Sequence, residues 1–126
     1  GLRLRFQLEG EDAVRTEFVP GERFQGWQGI VHGGILATLL DELMVNAVWL
    51  RGVRAVTGRL ELSLRRPARV GERLCARATI QKTTRKTVEV AGQVTGEDGG
   101  VVAEGQALLL RLVTAPSTAP GPAGEG

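Results

Sequence analysis

Within the stretch GWQGIVHGGILATLLDELMVNAVWL, Gly26 to Leu50, an apolar run holds the chain's only histidine, His32, two adjacent glycines, Gly33 and Gly34, and two consecutive acids, Asp41 and Glu42. From Ile35 to Leu50 the apolar residues occupy nearly every angle of a helical wheel, which predicts a helix enclosed by protein on most sides. Gly33 and Gly34 fall where that helix should begin. Glycine there lets a ligand approach the backbone, and the first helical turn leaves N–H groups unpaired at the positive end of the dipole. Such a terminus can hold an anion, or the oxyanion that develops on a carbonyl under attack. Thr38, Asp41, Glu42 and Asn46 share a limited arc of the same helix. Two carboxylates in that position must reach solvent, find partners or line a cavity. Glu42 follows Asp41 by about 100° around the axis and points elsewhere, so Asp41 carries the chemical expectation. Taken singly, each feature also has a plain structural reading: Gly-Gly starts many helices, and a lone histidine before a helix is often a hydrogen-bonded structural group.

Other chemistries find little support. One histidine excludes a metal site built from several, and no metal is expected. A serine triad lacks its G-x-S-x-G elbow, and Ser63 lies in a strand pattern. Cys75, the sole cysteine, has no disulfide partner within the chain and no activating histidine at a known spacing, so it reads as a structural thiol in a reducing interior. A formal charge of +2 is too balanced for a nucleic-acid footprint, and aromatics at 4% are too few for a base-stacking surface. No apolar run of about 18 residues and no basic-then-apolar leader is present. The expectation is a soluble cytoplasmic protein with neither nucleic-acid nor membrane partners.

The elements that must position these residues read from their periodicity. Leu2, Leu4, Phe6 and Leu8 alternate with polar residues, and after the turn residues of EGEDA a second strand runs from Val14 to Val19, so the two form a hairpin. Beyond the helix, Leu60, Leu62 and Leu64 alternate; RRPARVGER turns; Leu74, Ala76, Ala78 and Ile80 alternate; Val88, Val90 and Val94 follow; and GEDGG makes a hairpin into Val101 to Val113. Leu108, Leu109 and Leu110 predict burial on both faces near the end of that last strand. The sum is an α+β domain in which a six-stranded antiparallel sheet wraps one long helix. Residues 1–113 form this single domain, and 114–126, rich in Pro, Gly and Ala, form a disordered tail.

GIVHGGILATLLDE resembles the hotdog-fold acyl-CoA thioesterases of the phenylacetate-degradation (PaaI-like) type, whose motif is H-G-G with an acid eight residues after its first glycine, the spacing of Gly33 and Asp41. VTGRLELSLRRPARVGERL is similar to the family's next block, a strand leading into a Pro-x-x-x-Gly turn. The likeness spans roughly Gly26 to Val113 and implies the hotdog fold, in which the helix is the sausage and the sheet the bun. It implies hydrolysis of an acyl-CoA to a free acid and coenzyme A, with no separate cofactor because coenzyme A is part of the substrate. It also implies self-association as dimers, with a tetramer left open, and active sites built between two subunits.

Carried over residue by residue, the resemblance makes Asp41 the nucleophile or general base, the Gly33 N–H the group polarising the thioester carbonyl, and His32 a positioner of that carbonyl. Thr57 matches a hydroxyl contributed by the partner subunit that helps to hold water. Gly34 belongs to the substrate-binding helix start. Arg66 and Arg69, flanking Pro67, are candidates for the coenzyme A phosphates. Many relatives have asparagine six residues before the histidine; this chain has Gly26 there, with Gln25 as the substitute. A non-catalytic acyl-CoA-binding module of the same fold is the alternative reading.

Overall fold

The computed structural model describes residues 4–112, so the expectations for Leu2, for Val113 and for a tail at 114–126 lie outside the described residues. A short hairpin, β1 (Gln7–Glu9) and β2 (Ala13–Phe18), is followed by a 3₁₀ turn (Glu22–Phe24) and a second small hairpin, β3 (Gln25–Trp27) and β4 (Ile30–Val31). The long helix α1 (Gly33–Trp49) comes next, and then four strands: β5 (Ala55–Leu64), β6 (Leu74–Thr83), β7 (Thr87–Thr95) and β8 (Val101–Arg111). The main sheet is antiparallel in the order β1-β2-β6-β7-β8-β5, with β3 and β4 forming a separate pair. One helix lies against this six-stranded sheet, which is the hotdog architecture.

The helix is apolar on most sides because the sheet curves around it. Leu36, Leu39, Leu40, Leu43, Met44, Ala47 and Val48 are all buried, facing Val14, Leu74, Val90, Val94 and Leu109; each leucine so enclosed is worth about 2 kcal/mol of transfer free energy. Two glycines paired across strands, Gly92 of β7 and Gly105 of β8, lie beneath the helix. A Cβ on Gly92 would stand 3.1 Å from Leu40 Cδ2 and 3.2 Å from Met44 Sδ, and one on Gly105 would stand 2.6 Å from Leu62 Cδ2. The pair opens a groove in the sheet that Met44 enters, a reason of packing and not of backbone conformation.

The far end of the helix is tied down by Arg51. Its guanidinium donates to the carbonyls of Ala47 in the last helical turn and of Gly10, Glu11 and Ala13 in the β1–β2 hairpin, at 2.6–3.3 Å. Four backbone acceptors lose their donor together if this side chain is removed. Arg51→Ala is therefore expected to lower unfolding stability by about 2 kcal/mol, read as a shift of the urea midpoint without a change in slope.

Three sequence expectations are corrected. The first strand covers only Gln7–Glu9; Leu4 and Phe6 pack on the core ahead of it, and Leu8, on this short edge strand, is 54% exposed. The β3–β4 hairpin occupies residues expected to lead straight into the helix, and Gly29, at φ 70°, turns it. Of the three consecutive leucines in β8, Leu109 is fully buried but Leu110 is 44% exposed beside the equally open Val56. In one chain, then, only one face of that strand is covered.

Candidate active site

His32 is the N-cap of α1. Its extended backbone (φ −60°, ψ 133°) lets Nδ1 accept the Gly34 N–H at 2.9 Å, while its carbonyl accepts the Ile35 N–H at 2.9 Å. The first of these bonds fixes the tautomer, with the ring proton on Nε2, directed away from the cap. Of the first three N–H groups of the helix, only that of Gly33 has no partner among the described residues. The Gly33 Cα lies against Leu64 at the end of β5: an added Cβ would stand 3.0 Å from Leu64 Cδ1. Gly34, expected as part of the binding surface, spends its N–H on His32.

Two helical turns further on, Thr57 Oγ1 donates to Asp41 Oδ1 at 2.8 Å. The bond lies within one chain, so Thr57 and Asp41 of the same copy act as one unit. It holds one carboxylate oxygen and leaves Oδ2 with no partner among the described residues. The other polar members of the helical arc are satisfied internally: Thr38 Oγ1 donates to the Gly34 carbonyl at 2.9 Å and Asn46 Nδ2 to the Glu42 carbonyl at 2.8 Å. Asp41 thus stands apart from its neighbours as the carboxylate with a fixed orientation and an open oxygen.

Gly33 and Asp41 are eight residues apart, a rise of about 12 Å along the axis. That rise is far longer than a single hydrogen bond, so the two groups do not converge on one point of the helix. Each chain presents the two groups separately, the N–H at the helix start and the carboxylate at mid-helix.

Gly26 has a packing explanation. A Cβ there would come within 3.1–3.2 Å of the His32 Cα, Cβ and Cδ2, so the backbone of β3 presses directly on the histidine, and an asparagine at this position would push it aside. Gln25, the suggested substitute, has its Oε1 accepting the Gly29 N–H at 2.7 Å across the hairpin turn.

Arg66 and Arg69 have different surroundings. Arg66 Nη2 bonds Glu72 Oε2 at 2.8 Å and Asp98 Oδ1 at 2.9 Å, and Nη1 bonds the Pro67 carbonyl at 2.8 Å, so its guanidinium is already committed to two carboxylates. Those bonds raise its pKa still further. Arg69 is exposed, and its guanidinium makes no hydrogen bond or ion pair among the described residues. Sequence reasoning did not find Glu72 and Asp98, which lie 6 and 32 residues from Arg66; their only signal is that both sit in glycine-marked turns.

The Glu72 carboxyl is pulled down to about 2 from an ordinary 4.5, first by the Arg66 guanidinium and then by the Arg69 and Glu97 N–H groups, against the opposing effect of burial. A folded-state pKa depressed in this way contributes stability that is complete above about pH 4.5 and is lost as pH falls toward 2. Melting temperatures of the wild type should therefore drop across that window, and Glu72→Gln should remove that part of the acid dependence while starting from a lower plateau.

The architecture is that of a hotdog protein, here with an H-G-G helix start. The chain belongs to the thioesterase superfamily, whose model matches residues 28–103. Among solved structures it is similar to a Ralstonia eutropha protein related to phenylacetic acid degradation (28% identity, TM-score 0.75, covering 86% of this chain and 83% of that one). It is also similar to the Escherichia coli PaaI protein of the phenylacetic acid degradation operon (19%, 0.83, 89% and 81%), and to a hypothetical thioesterase of Streptococcus pneumoniae crystallised with coenzyme A (17%, 0.81, 86% and 88%). Comparison with curated protein sequences finds no significant match. No helix among the described residues is long and apolar enough to cross a membrane.

Proposed function

We propose that the protein hydrolyses acyl-CoA thioesters at a site shared by two copies of the chain. The observation that carries this reading is the separation of the two groups: an N–H without a partner among the described residues and a carboxylate with one open oxygen, eight residues apart on one helix, a backbone rise of about 12 Å. β5 runs beside both and is the open edge of the sheet. Ten residues of unpaired edge call for a cover, and β5 is apolar at both ends, where Val56 is 44% and Leu64 55% exposed. Antiparallel pairing of β5 with a second β5 about a two-fold axis near Leu60 sets Arg59 against Glu61 and brings the Thr57 end of one strand to the Leu64 end of the other. Asp41 of one copy then faces the partner subunit's Gly33, twice per dimer.

In that pairing the thioester oxygen accepts the partner subunit's Gly33 N–H, with the positive end of a 17-residue helix behind it. Thr57 keeps Asp41 Oδ1 occupied, so Oδ2 takes a proton from water as the water oxygen attacks the carbonyl carbon. Collapse of the oxyanion breaks the C–S bond, and the departing thiolate takes the proton back from Asp41, leaving a free acid and coenzyme A. Direct attack by Oδ2, with hydrolysis of the resulting anhydride, uses the same oxygen. The related pneumococcal thioesterase has also been crystallised as an aspartate-to-alanine and a threonine-to-alanine variant, the two positions sixteen residues apart like Asp41 and Thr57.

Gly26 favours a second reading, an acyl-CoA-binding module without turnover, because no side chain at that position is available to hold the attacking water. Free-thiol release from a panel of aliphatic and aromatic acyl-CoAs separates the two. Turnover above background on any of them supports the hydrolase; saturable binding of several with no thiol released supports the module and removes the hydrolase.

A further inference from the structure

The Gly33 N–H is useful only if it is aimed, yet β4, which leads into it, is two residues long and its β3 partner is wholly exposed. The other side of β4 is held by the loop after β5: Val31 N–H donates to the Ala68 carbonyl at 2.9 Å, Val70 N–H to the Gly29 carbonyl at 2.9 Å, and Ile30 bridges Arg69. From Val31 the chain passes directly to the cap residue His32, whose N–H donates to the Phe24 carbonyl at 2.8 Å, and then to Gly33. This loop is what fixes the approach of the backbone to the helix start.

The loop is in turn fastened by charge. Glu72 accepts from the Arg69 N–H at 3.1 Å, from the Glu97 N–H at 3.1 Å and from Arg66 through both of its carboxylate oxygens. Asp98, in the β7–β8 hairpin, joins Arg66 from the other side. A Cβ on Gly96 would overlap Arg66 Nη2 and Glu72 Oε2, so the hairpin comes this close only because that residue is glycine. The cluster also leaves Arg66 Nε buried with no acceptor among the described residues, a cost that a side chain serving stability alone need not carry.

We propose that Arg66, clamped by Glu72 and Asp98, is a positioning residue for the Gly33 N–H, acting through the Pro67–Gly71 loop and β4. The inference rests on the oxyanion role assigned to Gly33 above. It moves Arg66 from a phosphate contact to the second copy's catalytic alignment, and it leaves Arg69 as the arginine free for an anion.

The experiment measures thiol-release kinetics and amide hydrogen exchange on full-length Arg66→Lys, Glu72→Gln and Asp98→Asn, well below each melting temperature. Asp98 is 66% exposed, so Asp98→Asn keeps the test alive if the Glu72 variant folds poorly. A misaimed donor should lower kcat by about tenfold in Glu72→Gln, with KM changed less than about twofold. Arg66→Lys, which keeps the charge but not the fork, should fall between that variant and the wild type, and exchange at the hydrogen-bonded amides of Val31, His32 and Gly34 should quicken while β6 and β7 stay protected. A lower melting temperature with unchanged kcat and unchanged exchange at those three amides overturns the proposal. If the wild type releases no thiol, the hydrolase reading fails separately, and the exchange rates alone decide the clamp.

Discussion

Asp41→Asn is expected to lower kcat for acyl-CoA hydrolysis by about a thousandfold with little change in KM. The substitution preserves shape. Asparagine presents a carbonyl oxygen where Oδ1 now accepts the Thr57 hydroxyl, so the 2.8 Å bond and the helix are retained. What disappears is the basic, nucleophilic second oxygen, and both versions of the chemistry need it. Thr57→Ala should act in the same direction and more weakly, because it frees the carboxylate to rotate without removing it. Steady-state kinetics on purified protein, with melting temperature as the control, would show this; unchanged turnover in Asp41→Asn would assign the chemistry to another carboxylate.

The second large effect is expected at Gly33, where proline provides an unusually clean test. The first position of a helix is where proline is best tolerated, since its missing N–H has no intrahelical partner to lose. The preceding residue must be extended, and His32, at ψ 133°, already is. Gly33→Pro therefore deletes the proposed oxyanion donor with modest damage to the fold, and kcat should fall by about 10²- to 10³-fold. Gly33→Ala is the control. It retains the N–H, and its Cβ meets only the mobile end of Leu64 at 3.0 Å, so its activity should stay within about a few-fold of wild type. Equal losses in the two variants would mean that the contact with Leu64, not the N–H, is what matters.

Much of this arrangement was legible in the sequence for physical reasons. The core strands alternate because one face of the sheet packs on a single helix, and that helix is apolar almost all round because the sheet encloses it, so β2, α1, β6 and β7 could be read from period alone. The H-G-G start and Asp41 stood out because polar groups in a buried helix require a reason. What escaped has reasons of its own. The β3–β4 hairpin is exposed or half-buried over most of its length, and no alternation marks it. Of the two carboxylates that hold Arg66, Asp98 comes from a different hairpin, which no local spacing reveals. The separation of Gly33 from Asp41 appears only once the helical rise is laid beside the size of a carbonyl group.

The central claim is that one active site takes its carboxylate and its N–H from different chains. Co-expressing Asp41→Asn and Gly33→Pro with two different tags, and purifying only dimers that carry both, tests it directly. Each mixed dimer would hold one site damaged twice and one with both groups intact, so thiol release should return to about half the wild-type rate per dimer. Mixed dimers no more active than the parent variants would contradict the account and place both groups of each site in a single chain.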